Sequence, residues 1–476
     1  MIVTDTRQRH QHLDVGPARM ALATDFYQLT MMYAYFASPA LAETEATYEM
    51  FVRRLPKNRR FLVAAGLEQG LAYLRDLRFT GEDIDYLRTT PTFAALAATA
   101  QRDAFFERLR AFRFGATVRS VPEGTIFFPN EPILQVSGSM IEGQLVETFL
   151  LTMINYQTLV ASKAARIRLV SGERDLIDFG SRRAHGPEAA ALAARAAYVG
   201  GFNGTSNVMA AMQLGIPVVG TAAHAFTMAF GRETEAFAHY HATFPDSTVL
   251  LIDTYDTLRG ARRAAAIGEG LKGVRLDSGD LTQLAHEVRA ILDEAGLQQT
   301  RIVASSDLNE YKIAEMLAAG APIDTFGVGT ELVTSKDDPA LAGVYKLVEK
   351  IEGGRAVPTM KFSSSKNTYP GRKELYRITG ADGKILAGLL TQAGEPLPTL
   401  AAGERAEPLL QRMFDAGGPT APPEPIDDLR ARTRAQLLTL PDHLLGMEGD
   451  VELPELRVSA RTLELMDVCE SRFEVS

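Results

Sequence analysis

The 476-residue chain has one cysteine, Cys469. No internal disulfide can form, and a cysteine-rich zinc site is excluded. No uninterrupted apolar stretch is long enough to span a bilayer. The most apolar run, "GQLVETFLLTMINYQTLV", carries Gln144, Glu147 and Asn155, and reads as a core-facing helix. The opening "MIVTDTRQRHQHLDVGPARM" is polar and lacks the apolar centre of a signal peptide, so a soluble, cytoplasmic protein is expected. Positive charge is not in excess: 50 basic residues face 59 acidic ones, a net −9 that argues against broad nucleic-acid binding. Walker, GxGxxG and GxSxG patterns are missing, which leaves no simple nucleotide or serine-hydrolase signature.

What is present is a chain long enough for two or three domains, with the 46% apolar content of a globular protein. Residues 1–19 read as a flexible tail. The run "ALATDFYQLTMMYAYF" predicts a helix capped at Thr24 or Asp25. Residues 20–150 mix strand-like runs such as "TYEMFVRRL" with helices such as "GLEQGLAYLRDL", an α+β pattern. Over 151–351 short apolar runs alternate with helical stretches: "LIDFG", "IPVVG", "TVLLID", "GVRLD", "RIVASS", "DTFGV" and "VYKLVE". Such alternation predicts parallel βαβ units. The expected fold class is α/β, an irregular TIM-like α/β barrel with a smaller α+β domain, and a doubly wound open sheet is the alternative. Beyond 352 the alternation stops. A basic loop, a hairpin around Asp382-Gly383 and a helix over 426–440 are expected, with this C-terminal region packing back on the N-terminal domain.

Chemistry falls at the carboxyl ends of the expected strands, where α/β folds bind ligands. After "LIDF" come Gly180, Arg182, Arg183 and His185; after "IPVVG" come Thr221 and His224. "TVLLI" ends in Asp253 and Asp256, "GVRL" in Asp277 and Asp280, "RIVAS" in Ser306 and Asp307, and "DTF" in Gly327, Gly329 and Thr330. Some of these acids read as helix caps: Asp256, Asp280 with Gln283, and Asp307 with Glu310 in a capping box. Asp253 and Asp277 sit earlier, at the strand ends, where they suit sugar hydroxyls or a Mg²⁺ that carries phosphates. "FGVGT" reads either as a tight strand-to-helix connection or as a phosphate-binding turn. The cations Lys163, Arg166, Arg182, Arg183 and Arg275 read as ion-pair partners or as anion contacts. Arg275 lies two residues before Asp277 on a strand, so both side chains are expected on one face. His239 and His241 in "HYHA" have no third ligand nearby and read as helix or loop surface.

Together these stretches resemble the nicotinate phosphoribosyltransferase family. The matching segments run in consistent order from about Ala21 to Arg377: "ALATDFYQLTM", "VPEGTIFFPNEPILQVSG", "NYQTLVASKAARI", "DFGSRRAHGPEAA", "GGFNGTSNV", "GTAAHAF", "DTYDTLRG", "GVRLDSGDL", "VASSDLNEYKI", "DTFGVGTELVTS" and "KFSSSKNTYPGRKELYR". The resemblance implies a type II phosphoribosyltransferase, a homodimer that condenses nicotinate with 5-phosphoribosyl 1-pyrophosphate. ATP hydrolysis would be coupled through a phosphohistidine, with Mg²⁺ as cofactor. It places the phosphohistidine on His224, an aromatic stacking on the pyridine ring and supplied across the dimer interface on Tyr27, and an arginine near that ring on Arg275. Asp253 and Asp277 fall at the ribose and Mg²⁺ positions, and Gly327, Gly329 and Thr330 at the 5′-phosphate loop. Lys163, Arg166 and Arg182 become phosphate contacts, and Asp178, Thr221 and Ser278 join the substrate-binding set. A nicotinamide-using relative and a non-catalytic sensor of pyridine nucleotides are the alternatives. An aldolase-like barrel would need a Schiff-base lysine at a strand end, and none is evident.

Overall fold

Runs such as "GVRL" and "RIVAS" are short, apolar and closed by Asp or Ser, so they form strands buried on both faces and stop where the polar residues begin. The computed structural model describes residues 20–96, 99–361, 368–447, 449 and 451–474. The expected tail, residues 1–19, lies outside this set, as do residues 362–367 of the expected basic loop. The described residues divide into two units. Val160–Pro339 form one; the chain up to Leu159 and from Ala340 forms the other.

In the first unit six strands make one parallel sheet. Its order is Gly204–Thr205, Asp175–Asp178, Thr325–Val328, Arg301–Ser305, Gly273–Leu276, Val249–Leu251. In register, Arg275 stands opposite Val303 and Leu251, and Val303 opposite Thr325. Helices connect the strands, among them Pro187–Val199, Leu281–Glu294 and Glu310–Ala318. Three expectations are corrected. "IPVVG" forms no strand: Pro217 has no N–H to give to a ladder, and only a single bridge joins Val218 to Thr205. Among the described residues no pairing joins the two edges of the sheet, so its hydrogen bonds do not close a barrel. "VYKLVE" belongs to the second unit, where Gly343–Glu352 pairs antiparallel with Glu45–Val52. Its alternation of Lys and Glu with apolar residues is the pattern of a half-solvated antiparallel strand, and a strand buried on both faces lacks it.

The second unit holds a seven-stranded antiparallel sheet. It draws on both ends of the chain: Glu45–Val52 lies between Leu134–Ser139 and Gly343–Glu352, and Thr117–Ser120 pairs with Gln411–Asp415. A four-stranded sheet contains the hairpin of Lys373–Thr379 with Ile385–Gln392, turning where Gly383 adopts φ 78°. Two buried ion pairs tie the C-terminal residues to the N-terminal ones: Lys373 Nζ to Glu49 Oε2 at 2.8 Å, and Arg377 to both oxygens of Glu131 at 2.7 and 2.9 Å. The Phe26–Ala37 helix starts after Asp25, and residues 426–440 contain the helix Ile426–Leu438. Among the described residues no helix is long and apolar enough to cross a membrane.

Candidate functional site

The site is built on Arg275. Strand periodicity puts it on the same side as Asp277, and Nη2 donates to Asp277 Oδ1 at 2.8 Å. Nε donates to Ser305 Oγ at 2.9 Å, and Nη1 to Thr221 Oγ1 at 3.0 Å. The guanidinium also lies 5.2 Å from the centre of the Phe179 ring. Four side chains therefore fix one cation. Ser305 passes the bond on, its hydroxyl donating to Asp277 Oδ1 at 2.5 Å.

Asp253 supports Asp277 from the neighbouring strand end. Its Oδ2 accepts the Asp277 N–H at 3.0 Å and the Ser278 hydroxyl at 2.6 Å. Its Oδ1 is buried with no hydrogen-bond partner. A buried carboxylate oxygen left open is a costly feature unless a ligand completes it. His224 begins the short helix His224–Met228, with its side chain 41% exposed. Its Nδ1 lies 3.1 Å from Thr254 Oγ1, and its Nε2 lies 3.9 Å from Asp277 Oδ2. The second distance is too long for a direct hydrogen bond. The ring thus has one nitrogen anchored and one near the acid without being bonded to it.

Other expected residues stand elsewhere. Asp178 is fully buried, accepting from Thr205 Oγ1 at 2.7 Å and the Gly180 N–H at 2.8 Å. Burial pushes its carboxyl up to about 6, against the lowering effect of those two bonds. It braces the strand end from inside. Lys163 and Arg166 are also buried. Lys163 Nζ lies 2.7 Å from Glu310 Oε2 and 3.1 Å from Asp337 Oδ1, and Arg166 Nε lies 3.3 Å from Glu310 Oε1. Arg182 is exposed on the turn Ser181–Arg183. Gly327 lies within its strand, where a Cβ would come 2.3 Å from the Phe179 ring; packing, rather than anion binding, accounts for this glycine. Gly329 and Thr330 are partly exposed at the following turn. Tyr27 stands on the Phe26–Ala37 helix of the other unit, 47% exposed.

The expected capping box of Asp307 and Glu310 is corrected. Asn309 caps that helix, accepting from the Tyr311 and Lys312 N–H groups, while Asp307 has φ 41° and Ser306 φ 104°. Asp256 and Asp280 do cap their helices, accepting from the Arg259 and Gln283 N–H groups. His239 and His241 lie on the Glu233–Thr243 helix, and no cluster of three or more metal-ligating side chains occurs among the described residues. Sequence reading missed Phe179, Thr254 and Ser305, and read Glu310 only as half of a capping box. Lys163 and Arg166, three apart on one helix, were a signal for Glu310, since such residues face a common partner.

Fold and site together define an α/β protein with polar side chains gathered beyond the carboxyl ends of a parallel sheet, where such folds bind ligands. Comparison with known proteins narrows this. Residues 22–155 match the nicotinate phosphoribosyltransferase N-terminal domain, and residues 175–352 match the nicotinate phosphoribosyltransferase family. The chain is 43% identical to a nicotinate phosphoribosyltransferase of Mycobacterium tuberculosis, covering 90% of this chain and 89% of that one. It is 45% identical to the nicotinate phosphoribosyltransferase of Bacillus subtilis over 75% of this chain and 73% of that one. The crystal structure of human nicotinic acid phosphoribosyltransferase superposes with a TM-score of 0.80 at 31% identity, covering 94% and 99% of the two chains. The chain belongs to the nicotinate phosphoribosyltransferase family.

Proposed function

We propose that the protein joins nicotinate to 5-phosphoribosyl 1-pyrophosphate, releasing nicotinate mononucleotide and pyrophosphate in NAD salvage, with ATP hydrolysis coupled through a transient phosphohistidine at His224. The observation that carries the base is the bonding of Arg275. A guanidinium has five N–H donors, and three are committed to Ser305, Thr221 and Asp277. One N–H remains on each of Nη1 and Nη2. That pair suits the two oxygens of a carboxylate, and so the acid over the amide.

The reaction needs few protein groups. The pyridine nitrogen lone pair forms the bond to ribose C1 as the bond from C1 to pyrophosphate oxygen breaks, and the electron pair leaves with pyrophosphate. No base is required, so catalysis rests on positioning and charge neutralisation. The open Asp253 Oδ1 and the Oδ2 of Asp277 are hard oxygen donors that fit Mg²⁺, with the remaining ligands left to phosphates and water. When bound, Mg²⁺ supplies positive charge to the leaving pyrophosphate. With Nδ1–H donating to Thr254, His224 keeps a lone pair on Nε2 as nucleophile toward the γ-phosphate of ATP. In this reading the sheet is an incomplete barrel whose missing side begins at Val218, and Tyr27 of a second copy completes the base site.

Nicotinate mononucleotide formation, measured with and without ATP and with nicotinamide as the competing base, tests the proposal. Labelled ATP should leave acid-labile phosphate on the wild type and none on His224→Ala. Preference for the amide overturns the assignment of the base, and absence of label on the wild type overturns the coupling.

A further inference from the structure

The catalytic side chains use the carboxyl ends of the strands. The opposite ends enclose a cavity of about 1020 Å³, within the size range of small-molecule sites. The first residues of five strands line it: Asp175, Val249, Gly273, Arg301 and Thr325. The loops that lead into three of these strands complete its mouth, through Phe244, Leu271 and Leu297 among others. Along the Asp175 strand the lining residues are Asp175, Ile177 and Phe179, and along the Arg301 strand Arg301 and Val303. This period of two means that one face of the sheet forms the wall. Barrel interiors are ordinarily filled by layers of Val, Ile and Leu. Here Gly273 brings no side chain and Thr325 a short one, so space is left between them.

The chemistry of the wall restricts what fits. Much of the lining is apolar, through Ile177, Val249, Val303, Tyr240, Phe244 and Val218. Phe244 is 49% exposed and Val218 57%. Of the charged lining residues, Arg301 is paired with Asp175 at 2.9 Å, which leaves Lys272 against Asp246 and Glu269. Positive charge is not in surplus, so a phosphate-bearing ligand is disfavoured. The inner end of the cavity is formed by Phe179 and Thr221. These are the ring and the hydroxyl that hold Arg275.

We infer that the N-terminal end of the sheet is a second small-molecule site, for an uncharged and largely aromatic ligand, which acts on the base subsite through Thr221 and Phe179. The effect on the base rests on the proposed role of Arg275; the binding does not. Occupancy places atoms behind the groups that orient Arg275, so it changes the affinity for the carboxylate without touching it.

The test uses N-phenyl-1-naphthylamine, a neutral probe that fluoresces in apolar surroundings, added to the full-length protein. One saturable probe per chain is expected. Phe244→Ala and Val218→Asp, both at exposed lining residues, should weaken it about tenfold, roughly the loss of one aromatic or apolar contact. Tyr86→Ala, exposed in the other unit, should not weaken it. Saturating nicotinate with phosphoribosyl pyrophosphate should lower the signal to a plateau, and the probe should shift the KM for nicotinate about five-fold, in the range of ordinary coupling. Full displacement by substrates, displacement by pyrophosphate, or unchanged binding in both lining variants overturns the site. A KM that stays constant as the probe saturates overturns the coupling. Fluorescence reads binding whichever base the enzyme takes, so failure of the catalytic assignment would show separately.

Discussion

His224 is informative through its neighbours. Thr254 fixes one ring nitrogen and Asp277 stands 3.9 Å from the other. Thr254→Val removes the anchor while keeping the shape. The expected result is a loss of about tenfold in ATP-stimulated turnover, the value of one hydrogen bond of about 1.4 kcal/mol, with the ATP-independent rate unchanged. Steady-state kinetics with and without ATP checks this. Asp178 makes a second prediction at this scale. Its folded pKa of about 6 lies above the unfolded value near 3.8, so the folded state favours the neutral acid. That contribution is fully present below about pH 4 and is lost as pH rises through about 6. Asp178→Asn should therefore gain stability relative to wild type across that window, by about 3 kcal/mol at most, in urea unfolding followed from pH 4 to 7. The sequence makes the Arg275–Asp277 pair legible, because two residues of strand spacing put both on one face. Asp178 reads the same way from sequence, yet it is turned inward onto Thr205. A strand-end acid looks identical whether it meets a ligand or its own loop. Ser305 is hidden for a related reason: its part in the site depends on register against Arg275, which the letters do not carry.

Elements decide where the other cations go. The Glu310–Ala318 helix begins with a buried carboxylate that meets Lys163 and Arg166 from the Glu147–Ser171 helix. Glu310→Ala should cost about 3–5 kcal/mol, because it removes the buried carboxylate that both cations share. Thermal unfolding measures that cost, and loss of phosphoribosyl pyrophosphate affinity without loss of stability would instead return Lys163 and Arg166 to substrate binding. The glycine turn offers another test. Gly327→Ala puts a methyl group against the Phe179 ring, which must shift from beneath Arg275. A rise in KM for nicotinate of about tenfold, larger than any fall in kcat, is expected for a displaced base contact. Caps and strands were legible where the local chemistry is unambiguous, as at Asp256 and Asp280. "IPVVG" and "VYKLVE" have the apolar content of parallel strands, but Pro217 cannot join a ladder in one and the Lys/Glu alternation suits an antiparallel strand in the other. Asn309 was overlooked because Asp307 and Glu310 satisfy the letter pattern of a capping box, while the chain is still turning at Ser306 and Asp307.

For the whole molecule, the proposal of a shared site predicts complementation. Tyr27→Ala and His224→Ala should each be nearly inactive in ATP-coupled turnover. Mixed by co-expression, they should recover about a quarter of wild-type activity, since half of randomly paired dimers are mixed and each keeps one intact site. Recovery of none would place both residues in the same chain's site. The strand–helix alternation made the parallel unit legible from sequence. The other unit was harder to read, because its sheets are assembled from segments hundreds of residues apart. That arrangement has a consequence for synthesis. Val160–Pro339 is one unbroken run, whereas Glu45–Val52 lies between Leu134–Ser139 and Gly343–Glu352. As the chain leaves the ribosome, the unit with the parallel sheet has all of its strands before the seven-stranded antiparallel sheet has its last ones. Glu45–Val52 must wait with one edge bare, a state prone to pairing with other chains. A stalled or truncated product ending near residue 340 would therefore tend to aggregate through its older half, while its newer half is already folded.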